Sequence, residues 1–321
     1  MTLRNFYIRY ISGYREYFQT IKFYGVFGLL QDVKNRSGIW SIKEYTFLEG
    51  EMSVGASSIT DEPNYLTVCT LAQKNEEVLS KFKSCHEYRL VLEHVSRTQG
   101  EKYLTHIHKN HRIIDNMKEI ARTEIGAPFR YEYSELGSIS PTQIRYAKIL
   151  QDLERMFDFS QIRQVVEIGV GNGGQAAQIC NLNQLENYTF VDLEPVLGLT
   201  QTLLSAHKFR TRFEFLNPNQ IYLLSSDLFL SNYAFSELNK TYQDIYLENI
   251  LENSKRGFML YNHIHENPET GYTALEILDK IPGSALYAED PLTFVGNVIV
   301  AWGFDTDRMS NYFVPVSTPQ D

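Results

Sequence analysis

Cysteine is scarce and scattered: three residues, Cys69, Cys85 and Cys180, in a chain of 321. An odd number at wide spacing builds neither a disulfide framework nor a zinc-ligand pattern. It fits a reducing compartment, so the expected location is cytoplasmic. No run of about 18 apolar residues is present to span a bilayer, and the first residues lack the apolar core and small-residue cleavage site of a secretory signal. Dense basic tracts are missing too. Lys81-Phe-Lys83 and Lys255-Arg256 are short, and the formal net charge is −9. That balance opposes the counterion displacement on which nucleic-acid binding depends, so no nucleic-acid partner is expected. Internal repeats and low-complexity segments are also absent.

Aromatic residues are plentiful, at 13% of the chain with 21 Tyr and 19 Phe. Tyrosines in a cleft can stack on sugar rings or nucleobases, although most tyrosines pack in cores. Residues 1–125 read as a mainly helical cap or oligomerisation region. Ile8, Ile11, Tyr14 and Phe18 recur at helical spacing, and from Tyr65 to about Arg122 the pattern is mainly helical, with Val78, Phe82, Tyr88, Leu92 and later Ile113, Met117 and Ile120 as candidate inward positions. The N-terminal helices are expected to pack on their own chain or on a second subunit of a homo-oligomer. His106, His108 and His111 match no zinc spacing and read as a solvated helix or turn.

Residues 126–321 read as a second unit. Ser140-Pro-Thr-Gln143 is a helix start, with Ser140 as N-cap, Pro141 in the first turn and Gln143 as capping-box partner. Strands are expected at 164–168, 188–192, 213–216, 221–228 and 257–261. Helices are expected at 173–182, 195–207, 236–253 and 273–280. Such alternation predicts an α/β fold with a parallel, doubly covered sheet. Two closing runs, 286–288 and 294–303, have no helix between them and predict an antiparallel edge pair.

The run Val165-Val-Glu167-Ile-Gly169-Val-Gly171-Asn-Gly173-Gly174 is a strand that turns through glycines into a helix. Asp192 ends the next strand 23 positions after Gly169. Glycines allow close approach of a ligand and the distal acid can accept from ribose hydroxyls, which points to a nucleoside cofactor. Glu167 stands where NAD-binding loops carry an apolar residue, and an acid there can anchor the ammonium of S-adenosylmethionine. S-adenosylmethionine is therefore expected as cofactor rather than NAD, with Glu167, Gly169, Gly171, Gly173 and Asp192 as its binding residues. Glu194 competes with Asp192 for the ribose. Asn219 and Gln220, before the fourth main strand, are candidates for the adenine edge.

Two further stretches carry chemistry. Ser231-Asn232-Tyr233 through Glu237 follows a strand and faces the carboxyl edge of the sheet, where ligands bind in open parallel sheets. Glu237 is a candidate base or ligand-positioning acid, and also a plain helix-start carboxylate. Tyr261-Asn-His263-Ile-His265 ends another strand. Methyl transfer to a hydroxyl requires removal of its proton, and a histidine near its ordinary pKa suits that work. His263 is the first candidate base and His265 the second. No ligand set supports a metal, although Asp227, Glu237 and His263 could converge.

Three stretches resemble a bacterial sugar O-methyltransferase family: Ser140-Pro-Thr-Gln-Ile-Arg145-Tyr146, Val166 through Gln175, and Val191-Asp-Leu-Glu-Pro-Val-Leu197. Asn232-Tyr-Ala-Phe-Ser-Glu237 is similar to that family's motif after its fourth strand. The likeness runs from about Ile125 to Gly303. It implies a Rossmann-like class I methyltransferase fold, S-adenosylmethionine as donor and a saccharide hydroxyl as acceptor. Glu167, Gly169, Gly171 and Asp192 carry over as cofactor residues. Arg145 and Tyr146 match a family motif, and Arg145 could hold an acid group of the acceptor; Asn232 and Tyr233 are taken with them as substrate-binding. A methyltransferase-like binding protein without turnover is the alternative from another class, and an NAD-dependent oxidoreductase a third.

Overall fold

The computed structural model describes residues 35, 37–42, 63–134, 136–262, 270–309 and 312–316. The helices expected over residues 1–35 lie outside the described residues, Asn35 apart. From Pro63 to Arg122 the chain is mainly helical, as its caps and apolar stripes dictate. α1 spans Pro63–Lys74 and α2 Glu76–Lys81; Asn75 starts α2 by accepting from the amides of Glu77 and Val78. α3 is His86–Val91 and α4 Arg97–Ile107, the latter opened by a full Ser96/Gln99 capping box. α5, His111–Arg122, buries Ile113, Ile114, Met117 and Ile120.

Next comes a hairpin that the sequence pattern does not predict, with β1 at Tyr131–Tyr133 paired antiparallel to β2 at Gly137–Ile139. Strands of three residues are too short to display an alternation. α6, Pro141–Met156, starts at Ser140 as its cap. Gln143 is not the capping partner, however: its amide donates to Glu124 Oε1 at 3.1 Å and its carbonyl accepts from Gln178 at 2.9 Å. Burial offered Gln143 stronger partners than its own helix start.

The second half is β3 Gln164–Ile168, α7 Gly174–Leu182, β4 Asn187–Val191, α8 Glu194–Leu204, β5 Arg212–Leu216, β6 Leu228–Asn232, α9 Ala234–Glu237 and α10 Lys240–Tyr246. β7 Gly257–Tyr261, α11 Ala274–Lys280, β8 Ala285–Ala288, β9 Val298–Trp302 and α12 Thr306–Met309 complete it. One seven-stranded sheet runs β5-β4-β3-β6-β7-β9-β8. β3 to β7 are mutually parallel, whereas β9 runs against both β7 and β8. The expected antiparallel pair therefore stands at the sheet's edge, with the last strand inserted inside the one before it.

Alternation sorts the strand side chains onto two faces. Val165, Leu228, Leu230, Phe258 and Ile299 join one core, which continues into α1 to α8. Val166, Ile168, Phe229, Met259 and Val300 join another beneath α9 to α11. Two expectations need correction here. The strand expected at 221–228 begins only at Leu228, because Tyr222 and Leu223 are exposed and Leu224 bonds to the carbonyl of Asn249 rather than to a strand. The helix expected over 236–253 is broken. Leu238 is extended, Asn239 caps a fresh start at α10, and Leu247–Leu251 widens into a π turn.

Candidate functional site

The chain reverses its direction of progress along the sheet between β3 and β6, and such a switch point opens a crevice at the carboxyl ends of the strands. A cavity of about 430 Å³ occupies it. Gly169, Gly171 and Asp192 form one wall, Asn232, Tyr233, Ala234 and Glu237 the next. Tyr65, Leu92, His94 and Gln99 enter from the helical half, and Asn262 from the end of β7.

Gly169 adopts φ +71°, and a Cβ there would collide with that of Ala234. Only glycine lets the β3 loop and the β6 loop close on each other at this point. Asp192 ties the wall together: Oδ2 accepts from Val170 N at 2.8 Å and Oδ1 from Leu193 N at 2.7 Å. Glu194, the competitor, is exposed and does not face the cavity. Gly173 does not line the cleft either; it caps α7 in a left-handed turn, backed by Thr200 and Leu204.

Three expected roles fall elsewhere. Glu167 lies under the loop, not in the cleft, because strand alternation turns it into the core while Ile168 takes the cleft position. It accepts from Tyr188 Oη at 2.8 Å. Burial, with Asp192 adding to it, pushes its pKa up to about 8, so at neutral pH it is largely an uncharged acid and unsuited to anchoring an ammonium. Asn219 and Gln220 do not line the cavity; Gln220 turns back to the amide of Asn217 as a capping residue, leaving Pro218 to face inward. Tyr146 packs against Gly174 below the loop, and of the Arg145–Tyr146 pair only Arg145 reaches the cavity.

The other wall has more polar character. Asn232 Oδ1 is buried with no hydrogen-bond partner. Tyr233 holds φ +71°, a strained conformation for a non-glycine residue, and its hydroxyl donates to Glu289 and meets Thr293 at 2.8 Å. Glu237 is oriented by Asn262, whose Nδ2 donates to Oε1 at 2.7 Å. His263 and His265 lie outside the described residues. Asp227 is at the opposite edge of the sheet, bound to the amides of Arg163 and Gln164 and to Lys255, so it does not converge with Glu237. Among the described residues no group of three or more His, Cys, Asp or Glu could hold a metal ion. None of their helices is long and apolar enough to cross a membrane.

His94 carries no signal in the sequence. It is exposed where it lines the cleft, and the protein packed around its ring together with the positive charge of Arg145 directs its pKa below the ordinary histidine value. No local motif marks it; only the docking of the helical half brings it here.

Solved structures similar to this chain include the pyocyanin biosynthetic protein PhzM, at 18% identity and a TM-score of 0.38 over 50% of this chain and 57% of that one. Mitomycin 7-O-methyltransferase MmcR is similar at 16% identity and a TM-score of 0.36, over 67% and 69% of the two chains. An O-methyltransferase family protein from Burkholderia thailandensis matches at 14% identity and 0.36, over 63% and 71%. The match to PhzM spans little more than half of that protein. No family model matches the sequence, and no curated protein does. The strand order itself defines the class: five parallel strands in the order β5-β4-β3-β6-β7, a reversed β9 inserted before β8, a glycine loop after β3 and an acid after β4. This is the Rossmann-like class I methyltransferase fold, joined to the helices between Pro63 and Arg122.

Proposed function

We propose that the protein is an S-adenosylmethionine-dependent O-methyltransferase and that its acceptor is a sugar hydroxyl. The observation that carries the donor is one cleft holding the glycine loop, Asp192 and the unpartnered Asn232 carbonyl. The methionine ammonium would satisfy Asn232 Oδ1, a buried acceptor that otherwise costs stability. Asp192 would accept from the ribose hydroxyls, and the backbone at Gly169 permits close approach. When bound, S-adenosylmethionine supplies an activated methyl group on its sulfonium sulfur.

The chain's own residues would do the rest. Walls from both halves hold donor and acceptor in line, which supplies much of the rate in such a transfer. Glu237, fixed by Asn262, is the described group suited to taking the hydroxyl proton, and His94 lines the same cleft; His263 stays a candidate base from the sequence. The sugar rests on the family resemblance and on Tyr65, Tyr242 and Tyr246, which line the cavity and of which the partly exposed Tyr242 is the one able to stack on a pyranose. The proposed location is the cytoplasm.

Calorimetry with S-adenosylmethionine and S-adenosylhomocysteine tests the donor. Micromolar binding of either supports it, and no binding of both would sink it. Asp192→Ala is expected to weaken donor binding about tenfold or more, the loss of a charge-assisted hydrogen bond. Asp192→Asn, which can still support the loop, separates that effect from loop collapse.

A further inference from the structure

Arg145 sits on the first turns of α6, its side chain lining the cleft although only 7% of the residue is exposed. A guanidinium taken this far out of water is costly unless a counter-charge accepts its protons. Around it the charges are already matched. Lys83 pairs with Glu124 at 2.9 Å and with Glu93 at 3.8 Å, Arg130 pairs with Glu124 at 3.1 Å, and Glu93 accepts from Thr142 at 2.7 Å.

Arg145 forms none of those pairs. Among the described residues it makes no ion pair and no hydrogen bond, its Nε is buried without a partner, and the centre of the Tyr146 ring lies 5.6 Å from the guanidinium carbon. It also feels the phenols of Tyr103 and Tyr233 and, more weakly, the carboxylate of Glu93, with which it forms no ion pair. Among the described residues the cluster thus holds three cations, Lys83, Arg130 and Arg145, against two carboxylates, Glu93 and Glu124, and Arg145 is the cation that lines the cleft.

We propose that Arg145 is a carboxylate clamp, pairing with the carboxylate of a ligand held in this cleft. This rests on the reading of the cleft as a methyl-transfer site. Two sources share that chemistry: the methionine carboxylate of the donor, and an acid group on the acceptor, which would make the acceptor a uronate-like sugar. A planar guanidinium with two parallel N–H groups matches a carboxylate in a bidentate pair.

Calorimetry of the wild-type chain, Arg145→Gln and Arg145→Lys decides it. The probes are S-adenosylhomocysteine, 5′-methylthioadenosine (which lacks the amino-acid portion) and sodium glucuronate. Arg145→Gln is expected to lose tenfold or more in affinity for S-adenosylhomocysteine or for glucuronate, while 5′-methylthioadenosine binds as in wild type. Arg145→Lys, which keeps the charge without the fork, is expected to fall between. Loss confined to S-adenosylhomocysteine assigns the donor's carboxylate, and loss confined to glucuronate assigns the acceptor's.

Equal loss for S-adenosylhomocysteine and 5′-methylthioadenosine would mean that Arg145 only supports the fold, and would overturn the clamp. Unchanged binding of every probe would do the same. If the wild-type chain binds neither nucleoside, the methyltransferase reading fails and the glucuronate measurement alone judges Arg145; no glucuronate binding then overturns the clamp as well. Should Arg145→Gln not fold, the lysine variant bears the same comparison.

Discussion

Gly169 and Ala234 touch across the switch point, and the fit leaves no room for a methyl group. Gly169→Ala combines that overlap with a left-handed backbone, costing about 2–4 kcal/mol by overpacking and αL strain together. Adding Ala234→Gly is expected to recover the overlap part but not the strain, visible as a partial return of the melting temperature. Glu167 makes a second residue-scale prediction. Its pKa is raised to about 8 from the ordinary 4.5. The folded state therefore holds a proton that the unfolded state gives up, and the stability present below the ordinary value is lost as pH rises through about 8. The unfolding free energy of the wild type from urea titration should fall across that window by roughly 1 kcal/mol per pH unit. Glu167→Gln keeps an acceptor for Tyr188 and should flatten this slope; an unchanged slope would place the titration elsewhere. The acid before the glycines was legible as a residue, but not its direction. One step along a strand decides which face a side chain takes, and Glu167 took the core.

At the scale of elements, the α1–α8 contact joins the helical half to the sheet half. Gln73 donates from Nε2 to the carbonyl of Pro195 at 2.8 Å, and the same side chain lies against Gly198 in α8. An alanine at 198 gains up to about 1 kcal/mol of helix propensity but displaces Gln73. Gly198→Ala should therefore stabilise the chain only in a Gln73→Ala background, and a double-mutant cycle on chemical denaturation reads the difference. Additive effects would show that the two residues do not meet. Elements marked by strong local signals were legible in the sequence: β3 and β7 fall at the expected residues, and Ser140 and Thr273 cap the helices beside them. The β1–β2 hairpin and the broken helix after Glu237 were not. Their shapes follow from tertiary partners, the cap helices for one and the second core for the other.

Among the described residues the larger of two apolar clusters runs from Trp40 through α1, α4, α5 and α6 into the sheet and on to Met309. A fragment of residues 126–321 would expose the cluster's helix-covered side, so it is expected to lose cooperative thermal unfolding, whereas the full chain melts in one transition measured by circular dichroism. A cooperative melt of the fragment would show that the sheet half is stable without its cap. This shared core also builds the site, because His94, Tyr65 and Leu92 reach the cleft only through it. The sequence by itself determined the parallel sheet, the glycine turn and the acid at Asp192, since these follow from local periodicity and from conformations that only certain residues adopt. Tertiary structure alone decided that Glu167 is buried, that Asn219 and Gln220 miss the cleft, and that Arg145 lines it with no ion pair among the described residues. Those outcomes depend on which surfaces exclude water from which charges, and residues distant in the chain make those surfaces.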